Sequence, residues 1–192
     1  MEHESDEQLV RQYLSGKQTA LNTLITRYTS QLYAFSYRYA GNGTDAQDIV
    51  QDTFIKAWKA LASFDVSKSF KVWIYTIAKN TGLDWLKKKR PELFSHYETD
   101  DELNPVADVL KDDTELPDEL AHNAHIYEEL AQAITELPDL YRSVVTLRYG
   151  SELSFEEIAT VLNKPVETVR SQHRRALIKL KAIVEQRAPF KP

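Results

Sequence analysis

An all-α fold of two helical bundle domains, joined by an acidic flexible linker, is what this sequence predicts. Three observations carry that expectation. Apolar residues recur at helical rather than alternating spacing, and S-x-x-E/Q capping boxes mark helix starts. Glycine (5) and proline (7) are scarce. Finally, Leu153 to Lys181, reading LSFEEIATVLNKPVETVRSQHRRALIKLK, has the pattern of two helices joined by a very short turn, the second studded with arginines.

The elements follow in order. Ser5 and Gln8 form a capping box that opens a short helix, closed by Gly16. Lys17 to Tyr39 is a long amphipathic helix with Leu21, Leu24, Ile25, Tyr28, Leu32, Phe35 and Tyr39 on one face. Gly41-Asn42-Gly43 is a turn, and Thr44 to Gln47 caps a helix running to about Leu61. Ser63 to Lys68 is a loop, followed by a helix from Ser69 to Lys89 that Pro91 stops. After the linker, helices are expected at 123–136, 139–149, 154–162 and 165–187, with Pro138 and Gly150 supplying breaks. The resulting organisation is a first domain at 1–91, a linker at 92–122, a second domain at 123–187 and a tail at 188–192.

In the terminal pair of helices, Ser154 and Glu157 form a second capping box, and Phe155, Ile158, Ala159 and Leu162 share an apolar face. Asn163 and Lys164 break the period, and Pro165 suits the first position of a new helix because its missing N–H is not needed there. Val166, Val169, His173, Ala176 or Leu177, and Leu180 then repeat on the buried side. Glu167, Ser171 and Arg174 face outward, with Thr168, Arg170 and Arg175 on the flanks. Any helical corner with a solvated basic face shares this period. It has no need, however, of arginines near the start of its second helix, where a recognition helix meets base edges.

The net charge of −5 is unevenly spread. Pro91 to His122 holds eleven acids and one base, a charge of −10, which leaves 23 bases against 18 acids, or +5, for the remainder. Zero cysteines exclude disulfides and thiolate metal sites, and no run of about 18 apolar residues predicts a membrane span. These point to a cytoplasmic chain without membrane insertion.

Two constellations carry chemistry. Asp45, Asp48, Gln51 and Asp52 line one helix face. As an enzyme site, the carboxylates Asp45, Asp48 and Asp52 lack a nearby histidine and a Gly-rich phosphate loop, so the face reads as solvated or as a dock for a basic partner. The helix from Ser69 interleaves Phe70, Trp73, Tyr75 and Trp85 with Lys71, Lys79, Lys87, Lys88, Lys89 and Arg90. Rings that stack bases beside cations that meet phosphates suit single-stranded nucleic acid. Trp73, Ile77 and Trp85 are expected in the core, and Tyr75 and Lys79 on the side of Lys71. Of the five histidines, His122 and His125 share a face without a third ligand, and His173 sits on the apolar stripe. No metal, no cofactor and no catalytic residue is expected.

Three blocks, Asp45 to Leu61, Phe70 to Arg90 and Glu136 to Ala176, in this order and spacing, resemble the extracytoplasmic-function sigma factors, the two-domain minimal class of bacterial RNA polymerase specificity subunits. The resemblance implies that residues 1–91 are sigma region 2 and residues 123–187 are sigma region 4. It implies that Asp45, Asp48, Gln51, Asp52 and Thr53 contact the β′ clamp helices of core polymerase, with the β flap as a second polymerase contact. The loop Asp65, Val66, Ser67 and Lys68 resembles the family's −10 specificity loop, which captures a flipped-out base. Lys71, Tyr75, Lys79, Asn80, Lys87, Lys88 and Arg90 match the segment that tracks the −10 strand. Within the helix-turn-helix at 154–175, Glu167, Thr168, Arg170, Ser171, Arg174 and Arg175 would read −35 DNA. An anti-sigma partner, which can hold such a factor near the membrane, is also implied. The chain departs from the family pattern at Glu167, Gln172 and His173; Glu167 opposes phosphate but can accept from cytosine N4. A tether of about 30 residues spans roughly 100 Å, enough for two promoter elements roughly 70 Å apart. The alternative is a helix-turn-helix regulator that acts without core polymerase.

Overall fold

The computed structural model describes residues 4–89, 130 and 132–187. The acidic segment 92–122, Arg90, His122, His125, the start of the helix expected from 123 and the tail 188–192 lie outside the described residues.

Local chemistry sets the first four helices. Helix α1, Asp6–Leu14, starts at the Ser5 capping box, with Ser5 and Gln8 satisfying each other's backbone N–H, and carries Asp6 and Glu7 in its first turn, where the helix dipole favours them. Gly16 turns the chain at φ 104°, a conformation that costs glycine little. Helix α2, Gln18–Ala40, ends at Gly41, whose left-handed φ of 72° aims its N–H at the Tyr37 carbonyl. Helix α3 spans Gly43–Ala60. Its N-cap is Asn42, not Thr44 as expected, because the Asn42 side-chain oxygen takes the Asp45 N–H at 3.0 Å. A 3₁₀ turn, Leu61–Ser63, leads into the loop, and α4 spans Phe70–Lys89.

These helices close around Leu24, Tyr28, Leu32, Phe35, Ile49, Leu61, Phe70, Ile74 and Leu86, all nearly or fully buried. The tightest crossing joins α2 to α4 at Gly82. A Cβ there would meet the Tyr39 ring at 2.4 Å, so the glycine lets the two helices approach. Trp73, Ile77 and Trp85, expected in the core, pack against it half-buried.

Beyond the undescribed segment, a helical turn at 132–135 precedes α5, Asp139–Val145, which widens into a π turn at Thr146–Gly150. The expected helix at 139–149 therefore forms with a changed register in its last turn. Helix α6, Phe155–Leu162, and α7, Val166–Arg187, complete the chain, with Asn163 between them in the left-handed region (φ 55°, ψ 49°). A small cluster of Ala133, Leu137, Val145, Ala176 and Leu180 joins α5 to α7.

The two helical groups, as expected two units, pack against each other. Val144, Leu147, Leu153, Ile158, Ala159, Val161 and Val169 belong to the same buried cluster as the first four helices, and α6 packs along α4. The cause is that α6 is apolar on more than one side. Ile158, Ala159 and Val161 are buried, and Phe155 and Leu162 are partly so, more surface than α7 alone covers.

Gly82→Ala should destabilise the protein. Overpacking at the crossing costs about 1–3 kcal/mol and outweighs the gain in helix propensity of up to about 1 kcal/mol. A thermal melt followed by circular dichroism should show the midpoint falling by roughly 2–8 °C.

Candidate nucleic-acid interface

Three surfaces emerge from these helices. On α3, Asp48, Gln51, Asp52 and Ile55 are exposed at i, i+3, i+4 and i+7, a single stripe. Ile55, 43% exposed, gives this acidic stripe an apolar end that sequence reasoning missed, although its position off the buried face of Ile49, Val50 and Ala57 was a signal. Asp45 stands at the edge, half-buried, with its carboxylate taken by the Asn42 amide at 2.6 Å. Thr53 does not belong to the stripe. It is fully buried, and its hydroxyl donates to the Ile49 carbonyl at 2.7 Å. The three acids Asp45, Asp48 and Asp52 are not a metal cluster, and no group of His, Asp or Glu that could hold an ion occurs among the described residues.

The second surface is the loop between Phe64 and Phe70. Asp65 accepts from the Ser67 N–H (3.0 Å) and hydroxyl (2.7 Å), and Lys68 N–H closes a turn on the Asp65 carbonyl at 2.9 Å. Those two bonds from Ser67 hold the Asp65 carboxyl below the usual range, with the Lys68 charge adding to them. Val66 is half-buried against the core, while Asp65, Ser67 and Lys68 face solvent. Aromatic packing pins the loop's two ends together: the Phe64 and Phe70 rings meet edge to face at 5.7 Å, and both rest on Trp73.

Downstream on α4 the expected strand-tracking residues divide. Asn80, Lys87 and Lys88 are exposed, and Lys71 and Lys79 are half-buried. Burial lowers the Lys79 pKa, and the charge of Arg38 lowers it further. Arg38 is itself buried, its guanidinium 4.1 Å from the Phe35 ring centre and 4.2 Å from that of Tyr39. Tyr75 is fully buried: its ring stands perpendicular to Phe35 at 5.2 Å, and its hydroxyl accepts from Ser151 at 2.6 Å and donates to Gln31 at 3.3 Å. Tyr75 is therefore not a surface stacking platform in this arrangement. It joins α4 to the residue after the π turn, a long-range contact that helical spacing does not reveal.

The third surface is the helix-turn-helix. Ser154 and Glu157 satisfy each other's backbone N–H at 3.2 and 2.8 Å, completing the expected capping box. Val169 and Ala176 anchor α7 in the core, leaving Glu167, Arg170, Ser171 and Arg174 exposed and Thr168 and Arg175 half-buried. Arg170 is held by Glu156 of α6 at 3.1 Å and lies 3.8 Å from Glu167. Backbone and Arg170 hydrogen bonds lower the Glu156 pKa. Gln172 is buried, and its side-chain oxygen has no hydrogen-bond partner among the described residues. His173 packs edge to face on Phe155 (5.0 Å) and lies 3.0 Å from the Tyr149 hydroxyl, which explains its place on the apolar stripe.

Residues 24–92 match the Sigma-70 region 2 family, and residues 127–180 match Sigma-70, region 4. The ECF RNA polymerase sigma factor SigW of Bacillus subtilis is 34% identical, the alignment covering 86% of this chain and 89% of that protein. The RNA polymerase sigma-H factor of Pseudomonas aeruginosa is 35% identical over 90% of each chain. Among solved structures, CnrH in complex with the cytosolic domain of CnrY superimposes with a TM-score of 0.66 at 27% identity, covering 96% of this chain and all of that one.

Tyr75→Phe should weaken the packing of α4 against the second helical group. Losing the hydroxyl leaves the buried Ser151 donor unpaired, a cost of about 1–3 kcal/mol. Denaturant unfolding should show a lower midpoint with an unchanged slope.

Proposed function

From the premise that this chain belongs to the extracytoplasmic-function sigma factors of RNA polymerase, we propose a residue-level division of labour among its three surfaces. The α3 stripe of Asp48, Gln51, Asp52 and Ile55 docks on a basic face of core polymerase with an apolar edge to meet Ile55, and Asp45 steadies the helix start. The loop Asp65 to Lys68 selects an unpaired base of the −10 element, and Asn80, Lys87 and Lys88 track the strand. Exposed Arg174, with Arg170, Arg175, Ser171, Thr168 and Glu167 around it, meets the −35 duplex in the major groove. The observation that supports polymerase dependence is the exposed α3 stripe, acidic with Ile55 at its end, on a helix inside the segment matched to region 2.

Promoter use requires the packed arrangement to open. In the packed arrangement α6 rests on α4 and Ser151 closes over the Tyr75 hydroxyl, so the two DNA-reading surfaces part before both elements are bound. Core polymerase and promoter DNA provide the differential binding energy for that separation. We further infer that the domain boundaries lie at about 1–91 and 123–187 and that the protein acts in the cytoplasm. No helix among the described residues is long and apolar enough to cross a membrane. An anti-sigma partner fits the same reading, since the related CnrH is held by the cytosolic domain of a second protein.

Run-off transcription with core polymerase on a library randomised at both elements tests the reading. The wild-type chain should direct core-dependent initiation from a defined pair of elements. Arg174→Ala should reduce use of the upstream element roughly 5- to 100-fold with core affinity intact. Exchanging residues 65–68 should alter the −10 preference and leave the −35 preference unchanged. Tight duplex binding by the isolated chain, indifferent to core polymerase, would instead favour the regulator acting alone.

A further inference from the structure

Helix α1 lies outside the matched region 2 segment, which begins at residue 24, yet it reaches the base-selecting loop from two directions. The Glu7 carboxylate accepts the Phe70 backbone N–H at 2.9 Å. Phe70 is the first residue of α4, so this N–H is one of the donors that a helix start leaves without an internal partner. Ser69 supplies the remainder of the cap, its hydroxyl accepting from Val72 N–H at 3.3 Å. One turn along α1 from Glu7, the Arg11 guanidinium reaches the Val66 carbonyl at 3.5 Å, a long hydrogen bond to the loop's middle. The two side chains are four residues apart on one helix face, so a single rigid element touches the loop and its exit.

The helix is itself well anchored. Leu9 and Val10 are buried, Arg27 pairs with Asp6, and the Tyr28 hydroxyl donates to Asp6. The Tyr28 ring then packs edge to face on Phe70 at 5.6 Å, closing a circuit from α1 through α2 back to the start of α4. A flexible surface strap would not fix a loop. This one is tied to the core on both sides of Glu7.

We propose that Glu7 and Arg11 are positioning residues for base selection, holding the 65–68 loop in the shape that accepts one unpaired base and rejects others. The proposal rests on the reading of that loop as the −10 selector. Neither side chain needs to touch DNA. Glu7 fixes where α4 begins, and with it the exit of the loop, while Arg11 restrains the Val66 carbonyl. Removing either widens the set of loop conformations, and discrimination falls because several bases then find a fit. Uniform loss of activity is not expected, since the α3 stripe and the α7 arginines lie on other elements.

The test is run-off transcription by holoenzyme assembled from the full chain and core polymerase, on the library randomised at the −10 element. Glu7→Ala should reduce the ratio of preferred to next-best base at the loop-read position roughly 5-fold or more. Glu7→Gln, which keeps a side-chain oxygen to accept the Phe70 N–H, should restore most of the ratio. Arg11→Ala should give a smaller reduction in the same direction, and because Arg11 is exposed this variant retains the fold if Glu7→Ala does not. Preference at the upstream element should stay constant throughout. An unchanged base profile, or an equal loss at every base, overturns the proposal. Exchange of residues 65–68 runs in parallel: if it shifts the profile while the α1 variants do not, the positioning role fails alone. If none of them shifts the profile, the loop is not the selector.

Discussion

The structure depends on the burial of one helix. Helix α4 is the contact shared by every other part: Gly82 brings it against Tyr39 of α2, Glu7 of α1 caps it, and Tyr75 meets Ser151 across the interface with the second helical group. Each contact uses a different physics. The first is steric, the second satisfies a helix-start donor, and the third pairs two hydroxyls where water is excluded. Because α4 also carries the aromatic and basic residues suited to unpaired bases, the helix proposed to follow the −10 strand is also used for packing.

That double use explains the uneven exposure along α4. Its C-terminal lysines are exposed, while Tyr75 and Ile74 are buried. Lys79 lies between these extremes, half-buried with a lowered pKa, close enough to Arg38 to feel its charge. Two cations near one another in a poorly solvated region are mutually unfavourable, and an approaching phosphate relieves both.

Local grammar was legible and long-range pairing was not. The capping boxes at Ser5 and Ser154 formed as read, because their partners lie three residues away. The outward face of Glu167, Ser171 and Arg174 also followed from period alone. Asn42 displaced Thr44 as the α3 cap because Gly43 tolerated a helical start that its composition disguised as a turn. Thr53 satisfied its hydroxyl on its own helix and so turned inward, a choice that a tally of polar residues misses. Tyr75 shows the limit of spacing: period puts it beside Lys71 and Lys79, but Phe35 and Gln31 of α2 and Ser151, 76 residues later, bury it. Glu7, Arg11, Arg38 and Glu156 likewise acquire meaning only from distant partners.

The pair formed by Glu156 and Arg170 has a consequence for how the recognition helix discriminates. Any stretch of duplex attracts an exposed arginine, because pairing it with a phosphate releases cations condensed on the DNA. Here a carboxylate fixed on the neighbouring helix acts as an internal counterion. A phosphate that reaches Arg170 displaces a tethered group, which offsets part of that gain. On the proposed −35 contact, Glu156 thus withholds part of the generic attraction that random DNA exploits, and leaves base edges a larger share of the binding energy.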